Sequence, residues 1–243
     1  MIGLIPARSG SKRVADKNVR LLHGHPLLAY SIASALDSGV FEKVLVSTDS
    51  EKYAAVAQHY GADVLLRPME FASDTSPDIE WVKHALERNF QYDAFAILRP
   101  TSPFRKAQTI QRAWGEFTSG AACDSLRAVE KCHEHPAKMW AVSHGHLHPI
   151  MPLVKGTTGA PGHSSQYPTL PAVYVQNASL EMAWTKTVDE TDSIAGENIK
   201  AFLTAGDEGY DVNSLTDWYV AERLVETGDA TLPEVRVPAW STT

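Results

Sequence analysis

Met1-Ile-Gly-Leu-Ile-Pro-Ala-Arg-Ser-Gly-Ser-Lys-Arg13 begins with a short apolar run that Pro6 ends, and then turns polar. The run reads as a buried strand. The loop after it carries Arg8, Lys12 and Arg13 around Gly10, and Asp16-Lys17-Asn18 adds a fourth cation. A Gly/Ser loop leaving a strand can aim backbone N–H groups at phosphate oxygens while nearby cations offset their charge. The Gly-Lys-Ser/Thr ending of a Walker A loop is missing. A lone Ser-Gly-Ser-Lys is most often a solvated turn. Four cations at the end of a first strand favour an anion site instead.

Outward from this loop, strand and helix patterns alternate. Residues 26–38 place Leu27, Leu28, Tyr30, Ile32, Ala35 and Leu36 mostly on one helical face, with Pro26 at the start and Gly39 at the end. Strands are expected at 43–49, 62–66, 94–98 and 125–129. Helices are expected at 50–60, 109–117 and 78–90, the last with Ile79, Val82, Ala85, Leu86 and Phe90 on its apolar side. Regular structure resumes at 172–176 and ends in a helix near 214–226, and the tail beyond 228 reads as peripheral. This alternation predicts an α/β fold with a mostly parallel sheet. Ligands of such sheets sit beyond the carboxyl ends of the strands. There the sequence places polar clusters: Ala7–Arg13, Ser47-Thr48-Asp49, Arg67 and Arg99–Arg105.

The pattern breaks between 133 and 172, where six prolines and six histidines fall in an irregular stretch. So long a stretch is usually functional. We read it as an insertion in a single 1–243 domain, serving as a dimerisation or substrate-lid element. His144, His146 and His148 alternate, but without a zinc-type motif they read as a solvated loop.

Composition narrows the function. The 243 residues carry 22 Lys and Arg against 29 Asp and Glu, a net charge of −7. An acidic chain is a poor general binder of nucleic acid or anionic membrane, so an anionic ligand needs a local basic site. Two cysteines exclude a disulfide framework and suit a reducing cytoplasm. The first residues read as a strand and not a leader, and no apolar run is long enough to span a membrane. Arg99 and Arg105 flank a Pro100-Thr-Ser-Pro103 turn, where two prolines fix the backbone that carries Thr101 and Ser102. An arginine there could fork onto a carboxylate or phosphonate, or be one of two surface charges on a turn. Asp211 just before the 214–226 helix is either a turn residue or an oxygen ligand for a hard cation.

The first segment, Ile5-Pro-Ala-Arg-Ser-Gly-Ser-Lys12 with Lys17-Asn18, resembles the cytidylyltransferases that activate nonulosonic acids, the CMP-sialic acid synthetases. Val46-Ser-Thr-Asp49, Leu66-Arg-Pro-x-Glu70, Asp74-Thr-Ser76, Pro100-Thr-Ser-Pro-Phe-Arg105, His135-Pro-x-Lys138, Asn177 and Asp211-x-Asn213 continue the likeness over roughly 1–226. The resemblance implies a Rossmann-like nucleotidyltransferase in which a sugar-acid hydroxyl attacks the α-phosphorus of CTP, with Mg²⁺ present. It implies catalytic roles for Arg8, Lys17 and Asp211. Nucleotide contacts would come from Ala7, Arg8, Ser9, Gly10, Lys17, Asn18, Arg67, Asp74, Ser76 and Asp78. Acceptor contacts would come from Arg99, Thr101, Ser102, Lys138 and Asn177, and metal ligands would be Asp211 and Asn213. A homodimer is implied too.

The sequence departs from the family's pattern at Arg99 (usually Gln), Tyr167 and Val175 (usually Arg), Ala178 (usually Gly) and Asn213 (usually Asp). Most of these lie on the acceptor side. The expectation is a cytidylyltransferase for a nonulosonic or other 2-keto-3-deoxy acid, with Arg99 contacting the acceptor's acidic group. A phosphonate or phosphate acceptor, and a catalytically silent nucleotide-binding subunit, are the rivals.

Overall fold

The computed structural model describes residues 1–241. Seven strands form one sheet: β1 (Ile2–Pro6), β2 (Lys43–Thr48), β3 (Asp63–Leu66), β4 (Ala94–Ile97), β5 (Ser125–Lys131), β6 (Tyr174–Trp184) and β7 (Ile199–Leu203). Their spatial order is β7-β5-β6-β4-β1-β2-β3. β1 runs parallel to both β2 and β4, and β2 parallel to β3, while β6 lies antiparallel against β4. The parallel block therefore brings the carboxyl ends of β4, β1, β2 and β3 to one edge, in the order 97, 6, 48, 66.

Period-two side-chain alternation builds a core on each face of this sheet. Ile5, Val44, Val46, Ala94 and Ala96 pack with α1 (Leu27–Ser38), α2 (Glu51–His59) and α4 (Ala107–Thr118). Ile2, Leu4, Leu45, Phe95 and Ile97 pack instead with α3 (Asp78–Leu86) and α5 (Thr185–Thr191). The apolar run of the first strand is thus a central strand buried on both sides, as doubly covered parallel strands are. Gly3 faces the Phe41 ring there, and a Cβ on it would lie 3.1 Å from that ring, so a larger residue would have to displace it. A third cluster joins Val14, Leu22 and Phe104 to Val212 and to Trp218 of α6 (Leu215–Thr227).

Several expectations need correction. The helix expected over 78–90 ends at Leu86, because Asn89 turns its side-chain amide onto the Ala85 carbonyl at 2.7 Å and its own N–H onto that of Leu86. Phe90 is consequently exposed instead of lining the apolar face. The run resuming at 172 does not stop at Gln176 but continues as β6 to Trp184. Helix α5 and strand β7, unrecognised in the sequence, follow it. The tail is less peripheral than its composition suggests: Val235, Val237 and Trp240 pack on the core, and the Trp240 N–H donates to the Tyr60 hydroxyl at 3.0 Å.

The chain divides into two compact units, one of Met1–Ala128 with Asn177–Thr243 and one of Val129–Gln176. The second unit contains an antiparallel hairpin, Trp140–Ser143 with His146–Pro149, where a solvated loop was expected. Only His146 and His148 share its strand; His144 sits in the turn with positive φ beside Gly145. All three are exposed, and no group of three His, Cys, Asp or Glu residues suited to a metal occurs among the described residues. Nor does any described helix have the length and apolarity to cross a membrane.

Candidate active site

At the shared carboxyl edge of the parallel strands lies an open cleft of about 900 Å³, counting the part continuous with solvent. Six cations line it: Arg8, Lys12, Arg13, Lys17, Arg67 and Arg99. Only two carboxylates, Asp74 and Asp78, line it with them. The formal excess is four positive charges, in a chain whose net charge is −7. A charge concentrated against the overall sign in a concave site attracts and holds a polyanion.

The loop after β1 forms one wall. Ala7 extends β1, is fully buried and donates its N–H to the Ser47 carbonyl. The Ser9 N–H and hydroxyl both donate to Asp49, at 2.7 and 2.5 Å. Ser9, expected among the nucleotide contacts, therefore pins the loop to the end of β2 and is not among the residues lining the cleft. Gly10 takes the positive φ that lets the loop turn, with open space where a Cβ would be. The buried Asn18 amide donates to the Arg8 carbonyl at 3.1 Å, closing the loop from below. Arg8 and Lys12 reach forward to Asp74, which both cations hold below the usual carboxylate range.

Lys17 links this wall to the far end of the chain. Its ammonium donates to the Val212 carbonyl at 2.7 Å, and the Val212 N–H donates to the Thr101 carbonyl at 2.8 Å. Burial lowers the Lys17 pKa, and neighbouring Asp211 works against that shift. Asp211 is held by its sequence context. Val212 is buried, and Ser214 and Asp217 form a capping box at the start of α6, with Asp217 also accepting the Asn213 N–H. Asn213 donates its amide to Asp211 Oδ2 at 2.5 Å. The other oxygen, Oδ1, is buried and has no hydrogen-bond partner.

An orphaned buried carboxylate oxygen beside the cationic loop suits a hard cation. Mg²⁺ takes one or two carboxylates and completes its shell with water and phosphate oxygens, so one aspartate is enough of a protein contribution. The residues present therefore fit Mg²⁺ through Asp211. Asn213 acts here as the group that orients Asp211.

The opposite wall is built around Arg99, and sequence reading did not foresee its partners. Arg99 Nη2 donates to Asp78 Oδ2 at 2.5 Å and to Glu181 Oε1 at 2.8 Å. Glu181, buried on β6, also accepts from Arg127 of β5. Burial disfavours the Arg99 charge, but Asp78 and Glu181 outweigh it and raise its pKa. Asp78 shows the same balance: burial raises its pKa, while Arg99, the Trp81 indole N–H and Arg67 leave it lowered overall. Arg99, expected to contact the acceptor's acidic group, thus already has its charge matched by two carboxylates.

Arg67 is mostly buried, donating to the Ser47 and Phe71 carbonyls with its guanidinium 5.3 Å from the Trp81 ring centre. Burial brings its pKa down to about 10. Arg105 is no surface charge either. It is fully buried and meets only neutral acceptors, the Arg99 and Ser179 carbonyls and the Ser31 hydroxyl, so burial lowers its pKa to about 9.

Thr101 lines the cleft, but Ser102 is buried beneath the turn with an unpartnered hydroxyl. Asn177 is also turned inward, donating to the Thr204 hydroxyl and accepting the Ser179 N–H. Neither Ser102 nor Asn177, both expected to contact the acceptor, lines the cleft. Ser76 lines the cleft and donates to Glu80. Lys138 belongs to the second unit, at the end of the short turn Pro136–Lys138. Sequence reading missed Glu181 and Arg127 and gave Asp49 no role; Asp49 alone left a signal, as a carboxylate ending a strand beside the expected loop.

A cation-lined cleft at the carboxyl edge of a parallel block, with the unpartnered Asp211 oxygen beside its loop, has the features of a nucleotidyltransferase site. The chain belongs to the cytidylyltransferase family, whose model matches residues 2–135. It is 35% identical over 239 residues to the CMP-N,N'-diacetyllegionaminic acid synthase of Legionella pneumophila, covering 96% of this chain and 99% of that one. It is 54% identical over 113 residues to the N-acylneuraminate cytidylyltransferase of Escherichia coli O18:K1:H7, a match spanning 46% of this chain and 27% of that longer protein. Among solved structures, the CMP:2-keto-3-deoxy-manno-octonic acid synthetase complexed with CTP shares the fold, with a TM-score of 0.69 at 13% identity over 93% of this chain and 98% of that one.

Proposed function

We propose that this protein transfers CMP from CTP to an acidic sugar, a nonulosonic or other 2-keto-3-deoxy acid, and releases pyrophosphate. The observation that carries the reading is the excess of four positive charges in the cleft of a family member, matching the charge of a nucleoside triphosphate. The full-length likeness to a CMP-legionaminic acid synthase supports an acidic sugar as acceptor.

The chemistry is in-line displacement at phosphorus, which requires positioning and charge stabilisation more than covalent catalysis. Arg8 and Lys17 hold the triphosphate and offset the charge that develops as pyrophosphate departs. Asp211, oriented by Asn213, would hold Mg²⁺, which would supply Lewis-acid polarisation of the phosphoryl oxygens. Asn18 and Arg67 keep the nucleotide side rigid. The acceptor lies against Thr101 and Arg99, where Arg99 offers donors fixed in place by Asp78 and Glu181. The test is to incubate the protein with CTP, Mg²⁺ and a panel of nonulosonic and 2-keto-3-deoxy acids and to look for the CMP-linked product by mass spectrometry. Absence of product with every acid, from protein that binds CTP, favours the silent nucleotide-binding subunit.

We further propose a homodimer formed through the second unit. Val142, Leu147, Ile150 and Leu153 are exposed in and beside its hairpin, and apolar groups gathered on one small unit mark an interaction surface. Sedimentation at micromolar concentration should give twice the chain mass; a monomer contradicts the dimer. Dependence on CTP and two free cysteines, Cys123 and Cys132, support a cytoplasmic location.

A further inference from the structure

Asp74 differs from every other carboxylate at the cleft. Its two oxygens go to two different cations of the loop after β1: Oδ1 lies 2.8 Å from Arg8 Nη1, and Oδ2 pairs with Lys12. Arg8 Nη1 also donates to the Ala72 carbonyl at 3.4 Å, so the 72–74 segment reaches across to the loop at two points. A carboxylate bridging two cations offers them what two oxygens of a phosphate group would offer.

We infer that Asp74 is an internal stand-in for phosphate, holding Arg8 and Lys12 in place until the polyphosphate of a nucleotide displaces it. The nucleotide part of this inference rests on the function proposed above; the anion exchange itself does not.

Three observations support exchange over a permanent brace. The side chains are open to water, with 39% of Arg8, 41% of Asp74 and 79% of Lys12 exposed. Solvated pairs of this kind hold weakly and are screened by salt, so a ligand of several charges outcompetes one carboxylate. Second, Asp78 on the same stretch of chain has fixed partners, the Trp81 indole N–H and an Arg99 that is itself tied to the buried Glu181, so the two carboxylates are built for different ends. Third, side-chain bonds in the 73–76 segment are local: Ser73 meets Thr75, and Ser76 meets Glu80. Releasing Asp74 therefore leaves the strands and helix α3 undisturbed.

This inference reverses the sign expected for a residue that touches ribose or cytosine. If Asp74 contacts the nucleoside, its removal weakens binding. If it competes with phosphate, its removal strengthens binding. The experiment is calorimetric titration of the full chain with CTP and, separately, with inorganic tripolyphosphate, in wild type, Asp74→Asn and Asp37→Asn. Asp37 pairs with Arg236 and controls for the loss of one negative charge elsewhere.

Asp74→Asn should bind both probes about two- to fivefold more tightly, by the same factor, and the gain should shrink at high salt. Asp37→Asn should match wild type. Weaker CTP binding by Asp74→Asn overturns the inference in favour of a nucleoside contact, and unchanged tripolyphosphate binding overturns it by showing the pair to be idle. If tripolyphosphate shows the gain but CTP binds no better than tripolyphosphate, the nucleotide reading fails and the anion exchange stands.

Discussion

The two walls of the cleft carry the same kind of charge under opposite conditions. On the loop wall, Arg8 and Lys12 meet one half-exposed carboxylate in contacts that water and salt can loosen. On the far wall, Arg99 shares the buried Glu181 with Arg127, and Asp78 completes a quartet with no net charge. In the proposed exchange, the loop wall keeps its cations ready for an incoming anion. The other fixes a guanidinium so firmly that it serves as shape and donor geometry, not as free charge. Counting arginines at a strand end does not separate the two; burial and partners do.

The largest effect should come from breaking the far wall. Glu181→Gln leaves Arg127 facing a neutral amide and Arg99 with Asp78 alone, and breaking a buried pair of this kind costs about 3–5 kcal/mol. Urea unfolding should show the loss, and adding Arg127→Gln should recover part of it. A change under about 1 kcal/mol would mean that the quartet is open to water and that the two walls do not differ.

On the loop wall the balance should invert. Arg8→Ala should reduce pyrophosphate release by about 100-fold or more, the scale for removing a group that stabilises developing oxyanion charge. Its unfolding free energy should stay within about 0.5 kcal/mol of wild type, as for an exposed substitution. A folded Arg8→Ala variant with normal kinetics would remove the loop from the chemistry.

Between the walls, Asp211→Ala should raise the Mg²⁺ concentration for half-maximal rate by about 10-fold or more. Asn213→Ala should raise it less, because the partner of a metal ligand acts through orientation. Asn213→Asp should be tolerated, since a second carboxylate suits the same ion. Full activity in EDTA contradicts the metal role.

The smallest effect is the pH dependence of the quartet. In the fold Asp78 ionises below its ordinary value of 3.8. Its contribution to stability is therefore complete above pH of about 4 and is lost as the pH falls through its lowered folded value. The stability gap between wild type and Asp78→Asn should be constant from neutral pH down to about 4 and narrow below it. A gap that narrows as pH rises would contradict the assignment.

The contrast between the walls also marks what could be read from the residues alone. The loop wall was legible because its cations are contiguous, lie at the end of an apolar strand and need only local geometry to converge. The parallel block was legible from alternation and from Pro26 and Gly39. Glu181 was not, because it sits inside the apolar run Leu180–Trp184, and its partners Arg99 and Arg127 are 82 and 54 residues away. The early end of α3 depends on the Asn89 side chain, whose bond to the Ala85 carbonyl has no periodic signature. The hairpin at 140–149 was hidden by histidines and prolines, and its turn is set by positive φ at His144 and Gly145.

In the function proposed above, the cleft divides its work: the loop wall receives CTP while the far wall receives the acid. Initial rates of pyrophosphate release, with CTP and the best acceptor varied independently, test it most directly in wild type, Arg8→Ala and Arg99→Gln. We expect release to require CTP and acid together. Arg8→Ala should act on kcat and on the KM for CTP, while Arg99→Gln should raise the KM for the acid and leave that for CTP within about twofold, as for loss of a contact to one substrate only. Release that ignores the acid, or an Arg99→Gln effect falling on CTP alone, would contradict the account.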